Sequence, residues 1–130
     1  MSSLSAHSII VIDDEIELAS LFKEFLEKEG YNVVSFTDPE LAFEYYAETA
    51  NRHSLILTDL RMPGMSGLQL AKNIREINSK VKIFLMTAFD TADLRDNEDF
   101  KKANIDRLLQ KPIRFADLRQ MINESFKCSI

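Results

Sequence analysis

Ile9-Ile10-Val11-Ile12-Asp13-Asp14-Glu15 is the stretch on which the fold turns: four consecutive apolar residues end abruptly in three acids. An apolar run without alternation is the pattern of a strand buried on both faces. Immediately afterwards Leu18, Leu21, Phe22 and Phe25 recur with helical spacing, and Gly30 supplies a stop signal. A buried strand, an acidic turn and an amphipathic helix therefore follow one another within the first 30 residues.

The same unit repeats along the chain. Apolar or β-branched runs occur at Val33–Phe36, Leu55–Leu57, Val81–Met86 and Ile105–Leu109. A second helix opens with Asp38 as N-cap and Pro39 at the first helical position, turns Leu41, Ala42 and Tyr45 inward, and ends near Asn51. A third runs from about Gly67 with Leu70, Ile74 and Ile77 on one face, and a last one from Arg114 with Leu118, Met121, Ile122 and Phe126. The fourth, Asp93–Ala103, is the weakest, with Leu94, Phe100 and Ala103 to bury among many charges. Five strands alternating with five helices make a (βα)5 pattern. Right-handed crossovers turn it into an α/β doubly wound parallel five-stranded sheet of flavodoxin-like type, order 2-1-3-4-5.

Composition narrows the function classes. With 130 residues, 45% of them hydrophobic, the chain builds one core and one domain, placed at residues 8–127 between a loose segment 1–7 and a tail 128–130. A net charge of −5 with scattered basic residues argues against direct nucleic-acid binding. The single Cys128 excludes an intramolecular disulfide and a Cys-rich metal site. No apolar run approaches membrane-span length and the N-terminus does not read as a signal peptide, so a cytoplasmic location is expected. His7 and His53 have no companion ligand at metal spacing and read as ordinary surface residues.

In an open parallel sheet, ligands collect beyond the carboxyl ends of the strands where the winding reverses. Asp13, Asp14 and Glu15 follow the first strand, Asp59 the third, Thr87 the fourth, and Lys111 with Pro112 the fifth. Each alone is more often a solvated helix start or an ordinary turn. Together they converge on one edge. Clustered carboxylates repel unless a cation intervenes, and an all-oxygen set suits Mg²⁺. A carboxylate also serves as a phosphoryl acceptor, with Lys111 and Thr87 to spread the charge.

These residues resemble the receiver domains of two-component response regulators. The likeness runs through Ile9–Glu15, Leu57-Thr58-Asp59-Leu60-Arg61-Met62-Pro63-Gly64-Met65-Ser66-Gly67, Leu85-Met86-Thr87-Ala88 and Leu109-Gln110-Lys111-Pro112-Ile113, and spans nearly the whole chain. The resemblance implies a phosphorylation-dependent switch rather than an enzyme. Asp59 would take a phosphoryl group from a histidine kinase or a histidine phosphotransfer protein. Asp14, Asp59 and the backbone carbonyl of Arg61 would ligate Mg²⁺, with Asp13 acting through a water. Lys111, held by a cis bond to Pro112, would pair with Asp59 or its phosphoryl oxygens, and Thr87 would swing to the phosphoryl group. Ala88 would leave room for it, and Gly67 would permit the sharp loop after Asp59. Output would run through the fourth helix, fifth strand and fifth helix to an unknown downstream protein, the protein being a monomer or a weak phosphorylation-dependent dimer.

Three departures accompany the likeness. Leu108 stands where the family commonly carries Tyr or Phe, so an aromatic readout is absent or replaced. Thr87 and Lys111 are 24 residues apart, about two more than is usual in the family, with the excess in the charged 90–99 stretch. Asn104 takes the place of a frequent glycine and is suited to a left-handed conformation. Arg61 and Phe89 flank the expected entrance and bear on phosphoryl lifetime. A phosphatase working through an aspartyl phosphate is disfavoured, since it needs an acid–base carboxylate where Arg61 stands. The alternative is a phosphorylation-independent interaction scaffold. The chain reads either as a stand-alone receiver or as a fragment of a longer regulator.

Overall fold

The computed structural model describes residues 7–88 and 94–127. The elements are β1 (Ser8–Ile12), α1 (Ile16–Lys28), β2 (Asn32–Phe36), α2 (Pro39–Thr49), β3 (Leu55–Asp59), α3 (Gly67–Ile77), β4 (Lys82–Thr87), α4 (Glu98–Ala103), β5 (Arg107–Gln110) and α5 (Phe115–Lys127). Short 3-10 turns cover Ala50–Arg52 and Leu94–Asp96. The strands form one parallel sheet in the order β2-β1-β3-β4-β5, the expected doubly wound plan. No helix among the described residues is long and apolar enough to cross a membrane.

Local chemistry sets the helix ends. Gly30, at φ +100°, closes α1 in a Schellman arrangement: its N–H bonds to Glu27 O, and that of Tyr31 to Leu26 O. The Asp38 carboxylate caps Glu40 N at 2.9 Å ahead of Pro39, the Ser66 hydroxyl caps Gln69 N at 3.1 Å, and the Asn97 side chain caps Asp99 N at 2.7 Å. Asn104 ends α4 in the left-handed region at φ +49°, as its side chain allows.

Strand alternation divides the interior in two. Ile9, Val11, Leu55, Leu57, Phe84, Met86 and Leu109 pack against Phe22 and Leu26 of α1 and Leu118 and Ile122 of α5. Ile10, Ile12, Ile56, Ile83 and Leu85 pack on the other face against α2, α3 and α4, with half-buried Leu108 among them. Continued to the strand ends, the first series reaches Asp13, Asp59 and Lys111, and the second reaches Thr87.

Several expectations are corrected. Leu41 is exposed, and Tyr46, beside half-buried Tyr45, is the ring that α2 buries. Leu21 and Ile77 are likewise exposed, because the core covers a narrower stripe than their helical spacing suggests. The fourth helical segment is shorter than expected: a 3-10 turn at Leu94–Asp96 precedes α4, and Asp93 lies outside the described residues. His53 is buried rather than superficial. Its Nδ1 meets Ser8 Oγ at 3.0 Å and its Nε2 meets Thr49 Oγ1 at 2.9 Å, while desolvation, then the nearby Arg52 charge, lowers its pKa. Thr49 spends its own proton on Tyr45 O at 2.7 Å, so its oxygen accepts from His53 Nε2–H and leaves Nδ1 to accept from Ser8. His7 stacks on Phe126 with centroids 3.9 Å apart and shares a hydrogen bond with Ser54 Oγ. The segment 1–6 and the tail 128–130, with Cys128, lie outside the described residues.

Candidate phosphoacceptor and metal site

The carboxyl ends of β1, β3, β4 and β5 assemble an open cleft of about 300 Å³ lined by Asp14, Glu15, Asp59, Arg61, Thr87, Ala88 and Lys111. Backbone bonds hold these ends together: Leu60 N–H reaches Met86 O at 2.8 Å, and Lys111 N–H reaches Thr87 O at 2.7 Å. The Lys111–Pro112 bond is cis, as expected. Phe89 lies outside the described residues.

Asp13 is fully buried beneath this cleft. One of its oxygens accepts Glu15 N–H at 3.0 Å, starting the turn into α1, and the other accepts Lys111 Nζ at 3.0 Å. The same ammonium stands 3.4 Å from Asp59 Oδ1 and 3.9 Å from Glu15 Oε1. Asp59 Oδ1 also accepts its neighbour Leu60 N–H at 3.0 Å. One cation thus serves three carboxylates, and its shortest contact is with Asp13 rather than Asp59.

The electrostatics follow from that shortage of positive charge. Burial, and then repulsion by Asp13, push the Asp59 carboxyl up to about 6 against the pull of Lys111 and the Leu60 N–H. Burial alone would lower Lys111, but its hydrogen bond to Asp13 and the charges of Asp13 and Asp59 outweigh it and hold the ammonium above its usual range.

Ligand oxygens of Asp13, Asp14 and Asp59 lie within 4.8 Å of one another, with Asp14 exposed at the mouth and the other two buried. An oxygen-only set with more negative charge than Lys111 neutralises fits a hard divalent cation such as Mg²⁺, and fits zinc or copper poorly.

Gly67 is the small residue that the sharp loop after Asp59 requires, as expected. Its φ is ordinary, but a Cβ there would overlap the Asp59 carbonyl oxygen, so α3 can begin against β3 only without a side chain. The left-handed glycine of this loop is Gly64, at φ +84°. Met62 and Met65 pack against the α2–α3–α4 face, as expected. Thr58 Oγ1 donates to Asp59 O at 3.0 Å and braces the same carbonyl. Glu15 reaches the edge where it was expected, and there it faces Lys111 at 3.9 Å, a contact the sequence did not assign to it.

The response regulator receiver domain family model matches residues 9–123. The response regulator receiver protein CpdR of Brucella abortus is 33% identical over 122 residues, covering 94% of this chain and 96% of the relative. A response regulator receiver domain protein from Clostridium thermocellum superposes with a TM-score of 0.82 at 27% identity, covering 92% of this chain and 93% of that one. The response regulator protein TrrA of Thermotoga maritima, in complex with Mg²⁺-BeF, gives 0.78 at 29% identity, covering 92% and 98%. With the strand order, the acidic cleft and these matches in agreement, the chain belongs to the response regulator receiver domain family, the phosphorylation-based signalling modules of two-component systems.

Proposed function

We propose that Asp59 is the phosphoacceptor of a Mg²⁺-dependent switch whose phosphoryl donor is a histidine kinase or histidine phosphotransfer protein. The observation that carries this reading is the Lys111 ammonium, 3.0 Å from Asp13 and 3.4 Å from Asp59 at an open cleft: it is a cation with a second partner already in reach. Asp14, Asp59 and the Arg61 carbonyl would hold Mg²⁺, with Asp13 acting through a water. The bound ion supplies charge neutralisation for the phosphoryl oxygens.

The chain's own groups do the rest. Asp59, with a pKa of about 6, is mostly ionised at neutral pH, so a carboxylate oxygen attacks phosphorus. The O–P bond forms as the N–P bond of phosphohistidine breaks. The electron pair stays on the imidazole nitrogen, which takes a proton from solvent. Lys111 leaves Asp13 for a phosphoryl oxygen, and the Thr87 hydroxyl donates to another. Ala88 offers no bulk to oppose the group. Arg61 at the rim tunes attack of water on the acyl phosphate, and Phe89 is assigned the same part from its position two residues beyond Thr87. The chain promotes its own phosphorylation and dephosphorylation and turns over no external substrate. The added charge biases the α4–β5–α5 surface toward a downstream protein, the chain remaining a monomer or a weak phosphorylation-dependent dimer.

Incubation with Mg²⁺ and acetyl phosphate, read by intact mass under conditions that preserve acyl phosphates, tests the reading. One phosphoryl group is expected on the wild type, with none on Asp59→Asn or without Mg²⁺. No uptake from acetyl phosphate or from phosphohistidine donors would favour a constitutive scaffold.

A further inference from the structure

Arg75, in the last turn of α3, has a side chain only 8% exposed and distributes its guanidinium over three segments. Its Nε donates to Ala103 O at 2.8 Å and its Nη2 to Asn104 O at 2.9 Å, which are the carbonyls that end α4. Its Nη1 donates to Val81 O at 2.6 Å, ahead of β4. Its Nη2 also meets Asp106 Oδ2 at 3.0 Å, the oxygen that accepts Ile83 N–H at 2.7 Å. A planar guanidinium whose partners are mostly fixed backbone carbonyls has little freedom to slide.

The other end of α4 is held differently. There Lys72 meets Asp99 at 3.3 Å with side chains 35% and 46% exposed, an ion pair that water and salt weaken. Leu94 and Phe100 are half-buried against the α2–α3–α4 face, which also receives Leu108. A leucine there has no ring to turn in or out. When Thr87 moves toward Asp59, the space it leaves must be filled by neighbouring side chains of this face, and Leu94 and Phe100 belong to the weakly held end.

We propose that Arg75 is the fixed pivot of α4: phosphorylation moves the Leu94–Phe100 end of the segment while the guanidinium holds the Ala103–Asp106 end in place. This rests on the phosphoacceptor reading above and adds the residue that converts it into a directed tilt. Arg75 touches neither Asp59 nor the cleft. It is a positioning residue for the output surface.

The test is amide NMR of the full chain, with and without Mg²⁺ and beryllofluoride, on the wild type, Arg75→Met and Arg75→Lys, beside the intact-mass phosphorylation assay. In the wild type, shifts on activation concentrate at Leu94 and Glu98–Phe100, and Ala103, Asn104 and Asp106 stay put. In Arg75→Met, exchange of the Asn104 and Asp106 amides quickens by about tenfold or more without activation, and activation shifts spread across both ends. Arg75→Lys restores the Asp106 contact without the fork and falls between. Equal shifts at both ends of wild-type α4 would overturn the pivot alone, even if the variants fail to fold. Absence of phosphoryl uptake and of any beryllofluoride response would overturn the switch reading and the pivot with it.

Discussion

Two half-buried cations of this molecule, Arg75 and Lys111, face carboxylates, and they behave in opposite ways. Arg75 pairs with one acid, Asp106, and spends its remaining donors on backbone carbonyls, so its surroundings are electrically balanced and geometrically closed. Lys111 stands among Asp13, Asp59 and Glu15 with a flexible stem and an open cleft beside it. The guanidinium fork fixes backbone, whereas the ammonium is a point charge that can be handed from one oxygen to another. On the proposed reading the two are complementary: charge left unbalanced where a ligand arrives, and charge fully satisfied where motion stops.

The largest effect breaks the comparison outright. Asp59→Asn should abolish phosphoryl uptake measured by intact mass, while Arg75→Met should retain it within a few-fold of wild type. In stability the ranking reverses. Arg75→Met removes the cation beside Asp106 and the guanidinium donors from several carbonyls, and should cost about 3 kcal/mol in denaturant unfolding.

Asp59→Asn, by contrast, should stabilise the protein without divalent cations. The folded-state pKa of Asp59 is raised to about 6 from 3.8, so the native state holds its proton more tightly than the unfolded chain does. Wild-type stability attributable to this group is therefore fully present below pH ~4, falls as pH rises toward ~6 and stays low above it. Asp59→Asn should gain on the order of 2 kcal/mol over wild type at pH 7, and this gain should vanish near pH 4. Saturating Mg²⁺ should reverse the order by binding the folded wild type selectively. Smallest of all is Lys72→Ala: its ion pair with Asp99 is half-exposed, so a loss of about 0.5 kcal/mol that fades in high salt is expected in thermal unfolding.

How much of this could be read beforehand depends on how far apart the partners lie in the chain. The acids after β1, Asp59 at the end of β3 and Lys111 after β5 were legible because a parallel sheet brings every strand's carboxyl end to one edge. The left-handed Asn104 was legible from local chemistry, and the cis Lys111–Pro112 bond from the resemblance to receiver domains. The phase of α2 was not: Tyr45 and Tyr46 are adjacent, and only the sheet decides which ring goes inside. His53 lacked metal-spaced companions and so read as superficial, yet its partners are hydroxyls, one of them on Ser8, 45 residues away. Arg75 gave no signal because most of its acceptors are backbone carbonyls, two of them 28 and 29 residues distant, and every residue type carries one. Gly67 was legible as the small residue of the loop, but the atom that excludes a side chain there, the Asp59 carbonyl oxygen, is a tertiary fact.

The division of the interior by strand parity has a consequence for how such a protein diversifies. Asp13, Asp59 and Lys111 extend the face packed by α1 and α5, whereas Thr87 and Leu108 belong to the face packed by α2, α3 and α4. A sheet one peptide layer thick therefore separates Asp13, Asp59 and Lys111 from Leu94, Phe100 and Leu108, and Thr87 at the strand end stands where the two faces meet. On the proposed function, substitutions can accumulate behind Leu108, Phe100 and Leu94, retuning what the module says and to whom, while the acids and Lys111 on the other face are left untouched.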